Sequence, residues 1–301
     1  MANEVRHFAQ TKGQRMPDSP PAEAAIVGAG VVAGDSLGHG RDGRELKTRR
    51  APRTSPDTWF RCPRPLPGAQ ARLVCFPHAG GSAAAYRSWT MGPDIEVLGV
   101  QYPGRADRFG DPFPEDLEQL GREVGEAIAT LDERPTALFG HSLGALVAYE
   151  AARHLEEIGR APVHLFASAC RSPQVADSRP PIAGLDDATF AAELTKMGGT
   201  DALVLEDPEL RDLVLPYIRA DFTLLEAYAP LAEPLAVTPV LALGAVADPY
   251  ATDAEMAEWS GATQAEFRMR KFAGDHFYLF PRQKEVLATL RAALGMQEAR
   301  D

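Results

Sequence analysis

Thr136-Ala137-Leu138-Phe139-Gly140-His141-Ser142-Leu143-Gly144 joins a short apolar run to a stretch of helical period that continues to Ile158. Between the two lies a G-x-S-x-G pattern at a strand-to-helix junction, the context a nucleophile elbow requires. The glycines at either flank have a steric role. The turn holds its central residue at a strained backbone angle, and side chains beside it would collide with the neighbouring strand and helix. Ser142 Oγ is then expected above the sheet. The helix N-terminus and the Leu143 N–H would stand behind a developing oxyanion.

The surrounding chain repeats the same alternation. Arg72 to Phe76, Ile95 to Val100, Val163 to Ala167, Val240 to Leu243 and Ala265 to Met269 read as further buried strands. Helical patterns run from Glu115 to Leu131, Ala251 to Trp259 and Gln283 to Leu294. Short apolar strands alternating with helices predict one α/β domain, a mostly parallel sheet with helices on both faces. The alternation lapses between about residues 171 and 234. Two helical patterns fill that gap, Asp186 to Lys196 and Pro208 to Tyr228, joined by Gly198-Gly199. Inserted where strands deliver their C-terminal ends, they are expected to form a helical lid.

A nucleophilic serine needs a base, and in this arrangement the order along the chain is Ser, then Asp or Glu, then His. Three histidines follow Ser142. His154 falls within a helix and His164 within a strand, whereas His276 lies in Ala273-Gly274-Asp275-His276-Phe277, between the last strand and the last helix. His276 is therefore the expected base. Asp248, just beyond the strand Val240 to Leu243, is the expected orienting acid. Asp253 is set to start a helix, and Asp275 adjoins the base too closely to reach across its ring. The second oxyanion donor is expected from Phe76-Pro77-His78-Ala79-Gly80-Gly81-Ser82, the Ala79 N–H first and Gly80 next. His78 and His141 read as packing residues.

Composition limits the alternatives. The 301 residues carry 42 acids against 31 bases, a formal charge of −11, which argues against nucleic-acid binding. Cys62, Cys75 and Cys170 make neither a disulfide framework nor a metal-ligand spacing. No run is apolar enough for a membrane span and no signal peptide is evident, so a reduced, cytoplasmic protein is expected. Residues 1–66 hold 11 bases and 7 acids and are rich in Pro, Gly and Arg. They are expected to be disordered, with the globular domain at 67–301. Within them Gly28-Ala29-Gly30-Val31-Val32-Ala33 fits a dinucleotide fingerprint, with Glu45 following. Gly34, Gly38, Gly40 and Gly43 break the helix that fingerprint demands, so chance composition is the better account.

Five elements in order resemble the stand-alone type II thioesterases that accompany polyketide and nonribosomal peptide synthases. They are Phe76 to Gly81, Tyr102-Pro103-Gly104-Arg105-Ala106-Asp107-Arg108, Gly140 to Gly144, Leu215-Pro216-Tyr217-Ile218-Arg219-Ala220-Asp221-Phe222, and Gly274 to Phe277. The resemblance spans roughly residues 70–294. It implies an α/β-hydrolase fold with a mobile helical lid, no cofactor, and hydrolysis of acyl groups from the phosphopantetheine arm of carrier proteins. The usual role of such enzymes is editing, the clearing of short or aberrant acyl groups that stall the assembly line, and some relatives instead release fatty acyl chains. Gly244-Ala245 stands where relatives often have Gly-Gly, and the N-terminal extension has no counterpart.

Carrier proteins are expected to be acidic, and residues 67–301 carry a net −15. Docking of this transient partner then calls for a local basic patch, for which Arg105 and Arg108 are candidates. Their alternative role is in salt bridges to acids such as Asp107 or Asp111. A monomer is expected. The competing functions are a general carboxylesterase with the same triad, an acyltransferase to an alcohol or amine, and a non-catalytic binding protein on a hydrolase scaffold.

Overall fold

The computed structural model describes residues 55–229 and 233–296. A helical turn, α1 (Pro56–Trp59), leads into a two-residue strand, β1 (Phe60–Arg61). This corrects the expected disorder up to residue 66. Trp59 and Phe60 are buried, and β1 pairs antiparallel with β3 (Ile95–Val100), placing Phe60 opposite Val100. Two adjacent aromatics anchor a segment whose average composition is that of an unfolded chain. The Gly28 to Ala33 fingerprint and Glu45 lie outside the described residues.

The remaining strands are β2 (Ala71–Phe76), β4 (Thr136–His141), β5 (His164–Ser168), β6 (Val240–Ala245) and β7 (Phe267–Phe272). The sheet order is β1-β3-β2-β4-β5-β6-β7, parallel throughout except for β1. Alternate residues of each central strand enter opposite cores, because both faces are covered. Val74, Phe76, Leu138 and Leu165 pack with α2 (Leu117–Ala129) and α3 (Leu143–Glu157). Leu73, Cys75, Phe139 and Phe166 pack in a second cluster with Val286 and Leu290 near the C-terminus. Strand β7 lies two residues later than its sequence pattern indicates. Arg268, Arg270 and Lys271 look like the end of a strand, yet an exposed edge strand accommodates and profits from charge.

The chain reverses its direction of travel across the sheet at β2, with β3 on one side and β4 on the other. Ligands in open α/β sheets bind at such a switch point, outside the C-terminal ends of the strands. Phe76 is in register with Gly140, so the loop after β2 and the turn after β4 leave the sheet side by side.

Between β5 and β6 lie α4 (Asp187–Met197), α5 (Ala202–Glu206) and α6 (Pro208–Ala227). The five-residue α5 is too short to show a helical period in sequence. Arg219 of α6 donates to the Ala183 and Leu185 carbonyls and pairs with Asp187 at 2.7 Å. Glu226 accepts the N–H groups of Ile182 and Ala183, at 2.6 and 3.0 Å. The chain closes with α7 (Asp253–Ala257), opened by a Thr252–Glu255 capping box, and α8 (Gln283–Ala293).

Candidate active site

Ser142 sits between β4 and α3 at φ 54°, ψ −123°. A non-glycine residue at such an angle costs roughly 1–3 kcal/mol and persists only where its surroundings enforce it. Here they do. A Cβ on Gly140 would lie 2.1 Å from the Gly144 carbonyl oxygen, and one on Gly144 would lie 2.2 Å from that of Phe76. The Ser142 N–H donates to the Ser168 carbonyl at 2.8 Å, fastening the turn to β5. Its hydroxyl caps no N–H of α3, so the helix makes no claim on Oγ.

Asp248 follows the end of β6, and His276 lies in the loop after β7. The His276 Nδ1–H faces both carboxylate oxygens of Asp248, at 2.9 and 3.1 Å, and both residues are buried. Asp248 also accepts the Tyr250 N–H at 2.8 Å, which holds the carboxylate in place. The rival acids are engaged elsewhere. Asp253 opens α7 and pairs with Lys271, while Asp275 accepts the Phe277 N–H at 3.0 Å. His154 faces Glu157 on α3, and His164 packs on Phe166. The structure thus joins Asp248 to His276 by hydrogen bonds and brings the His276 ring within 5.3 Å of the ring of His141, the neighbour of Ser142. No hydrogen bond links Ser142 to His276 among the described residues; such bonds commonly tighten only around substrate.

Two buried histidines floor the site. His141 shares a hydrogen bond with Ser168 Oγ at 2.9 Å, and Ser168 with the Tyr278 hydroxyl at 2.7 Å. His78 stands edge-on to Phe277, with 5.0 Å between ring centroids. Burial, reinforced by the neighbouring histidines, lowers the pKa of His141 well below the ordinary value. Burial likewise takes His78 down to about 4, so both rings are neutral packing groups at physiological pH.

The loop after β2 carries a feature that local sequence does not reveal. The Gly80 N–H donates to Asp221 Oδ2 of α6 at 2.8 Å, which removes it as an oxyanion donor. The Ala79 and Leu143 N–H groups have no acceptor among the described residues. Asp221 is also clamped by Arg105, with Nη1 and Nη2 at 2.5 and 2.6 Å from its two oxygens, both side chains being 2% exposed. Burial works against the Arg105 charge, but Asp221 outweighs it and the guanidinium pKa is raised. Arg105 is therefore no docking residue. Arg108 is committed as well, paired with Asp111 at 2.9 Å and lying 4.3 Å from the Trp59 ring. Asp221 was legible in one respect: it interrupts the apolar stripe of Leu215, Ile218, Phe222 and Leu225 on one helix face. An acid there signals a buried partner. A cleft of about 480 Å³ at the β1 edge, lined by Arg61, Asp107, Asp111 and Phe113, contains none of Ser142, Asp248 or His276.

A family model described as a thioesterase domain matches residues 71–294, nearly the whole described chain. The chain belongs to the thioesterase family. This thioesterase is 42% identical over 232 residues to Thioesterase PikA5 of Streptomyces venezuelae, covering 76% of this chain and 82% of that protein. The type II thioesterase BorB from the borrelidin biosynthetic cluster shares its fold with a TM-score of 0.73 at 37% identity, over 79% of this chain and 98% of that one. The RedJ thioesterase from the prodiginine pathway in Streptomyces coelicolor follows at 0.69 and 36%, over 75% and 86%. The α/β-hydrolase fold and the type II resemblance read from the five motifs are borne out, and the thioesterase is a hydrolase acting on thioesters. Among the described residues no helix is long and apolar enough to cross a membrane.

Proposed function

We propose that this thioesterase removes acyl groups from the phosphopantetheine arm of carrier proteins in polyketide or nonribosomal peptide assembly, with Ser142 as nucleophile, His276 as base and Asp248 as its orienting acid. The observation that carries the proposal is the buried Asp248–His276 pair set beside a serine held at a strained elbow. With Nδ1 committed to Asp248, the other ring nitrogen, Nε2, is the proton acceptor. It takes the Ser142 proton as Oγ attacks the thioester carbonyl. The carbon–sulfur bond breaks, the carrier leaves as thiol, and the acyl group remains on Ser142 as an ester. Water, deprotonated by His276, then releases the carboxylic acid and regenerates the serine. The Ala79 and Leu143 N–H groups stabilise the oxyanion of both tetrahedral intermediates.

The helical excursion over 171–234 acts as the lid. Its inter-helix linker supports that role. Gly198 and Gly199 both have φ near +80°, and a Cβ on Gly199 would overlap the Phe277 ring beside His276. The partner is a transient carrier rather than a permanent subunit, and the thioesterase works as a monomer in the cytoplasm.

Incubation with acetyl-, propionyl- and longer-chain acyl carrier proteins, followed by intact mass, tests the assignment. Loss of the acyl mass, absent with Ser142→Ala and faster than cleavage of free acyl esters, is the expected result. Acyl carriers left intact while simple esters are cleaved would make the protein a carboxylesterase.

A further inference from the structure

We infer that Asp221 and Arg105 are positioning residues for the oxyanion loop: a carboxylate from α6, gripped by a buried guanidinium, holds Ala79 to Gly81 where the Ala79 N–H serves the reaction. Three segments distant in sequence meet here. Asp221 Oδ2 accepts the Gly80 N–H at 2.8 Å across 141 residues, and Arg105 spans 116 residues to reach the same carboxylate. Arg105 Nη1 also donates to the Gly81 carbonyl at 3.3 Å. The loop is therefore held at two points, by the carboxylate at Gly80 and by the guanidinium at Gly81. Tyr217, one turn before Asp221, lies over the guanidinium at 4.9 Å and keeps its plane fixed.

Stability alone does not account for this arrangement. A buried ion pair contributes no more to folding than apolar residues of similar volume, and often less. The surroundings are already apolar, with Ile218 packed against Gly80. What the pair adds is geometry. Gly80 is at φ 78°, a left-handed conformation that a glycine loop leaves readily. An oxyanion donor acts only when it stands within hydrogen-bond distance of the developing charge. Because Asp221 occupies the Gly80 N–H, it also decides which donor of the loop remains.

This inference rests on the proposed Ser142 chemistry, so the experiment measures the two separately. The rate at which a fluorophosphonate modifies Ser142, read by peptide mass, reports oxyanion stabilisation without need of the natural acyl group. Steady-state cleavage of an acyl-N-acetylcysteamine thioester gives kcat and KM. Asp221→Asn is expected to lower both the modification rate and kcat on the order of a hundredfold, with KM within about twofold, as a misplacement near 1 Å would. Arg105→Lys, which keeps the charge but not the two-pronged grip, should fall between that variant and wild type. The double variant Arg105→Met with Asp221→Leu should melt at or above the wild-type temperature and still show the full loss. A stable double variant modified at the wild-type rate would overturn the positioning role. Wild-type protein left unmodified at Ser142 would overturn the nucleophile assignment and this inference with it.

Discussion

The elbow at Ser142 and the helical excursion above it are held by different physics. Backbone sterics at two glycines shape the elbow, and the Ser142 side chain takes no part in capping the helix that follows. Side-chain contacts of α6 hold the excursion together and to the rest of the molecule: Arg219 and Glu226 grip its own segment before α4, Asp221 reaches Arg105 and Gly80, and Leu215, Ile218, Phe222 and Leu225 enter the core shared with α3. A steric turn has one solution and does not yield. A region secured by separate side-chain contacts can shift by breaking some and keeping others. The proposed reaction calls for both, a nucleophile that stays fixed and a cover that lets an acyl arm in and out.

The predictions probe that contrast. Ser142→Ala should reduce carrier deacylation by a factor on the order of 10⁴ or more while leaving the fold intact, as deacylation rates and circular dichroism would report. Asp248→Asn should cost roughly 10³–10⁴ in kcat by presenting the wrong tautomer of His276, with the melting temperature nearly unchanged. Gly144→Ala tests the steric half directly. A new Cβ would lie 2.2 Å from the Phe76 carbonyl oxygen, so a loss of about 3 kcal/mol or more is expected in urea denaturation. Normal stability in that variant would remove the basis for calling the elbow rigid.

Arg219→Met tests the other half. It removes two carbonyl contacts and the Asp187 pair, and should lower stability by about 1–2 kcal/mol while changing acyl-length preference more than kcat on the best substrate. The smallest effect concerns acid. Among the described residues, three histidines have a lowered pKa: His141 and His164 in the sheet and His78 in the loop after β2, and burial takes His164 to about 4. Unfolded, each binds a proton near pH 6.5, so their contribution is complete above that pH and is lost as pH falls toward 4. His164→Phe should reduce the stability lost between pH 7 and 5.5 by about 1 kcal/mol, measured by urea titration at each pH.

The same contrast explains what the sequence could reveal. The elbow, Asp248 and His276 are local patterns at strand ends, and the three residues Ser142, Asp248 and His276 follow β4, β6 and β7. The Asp221 contacts reach across 116 and 141 residues, and no local pattern says which arginine will meet which acid. Arg105 and Arg108 look alike in Gly104-Arg105-Ala106-Asp107-Arg108, yet one is enclosed beneath α6 and the other lies against Trp59. Residues 55–61 escaped for the opposite reason. Their two aromatics anchor an edge strand, but the surrounding Pro and Arg mask them in any averaged composition.

The central claim is that the fixed serine carries the acyl group between carrier and water. Mixing the protein with an acyl carrier, quenching in acid at millisecond intervals and mapping the peptides would test it most directly. The account predicts an acyl mass on the peptide containing Ser142, rising as the carrier loses it and decaying as free acid appears. Free acid released with no acyl group on Ser142 at any time would contradict it.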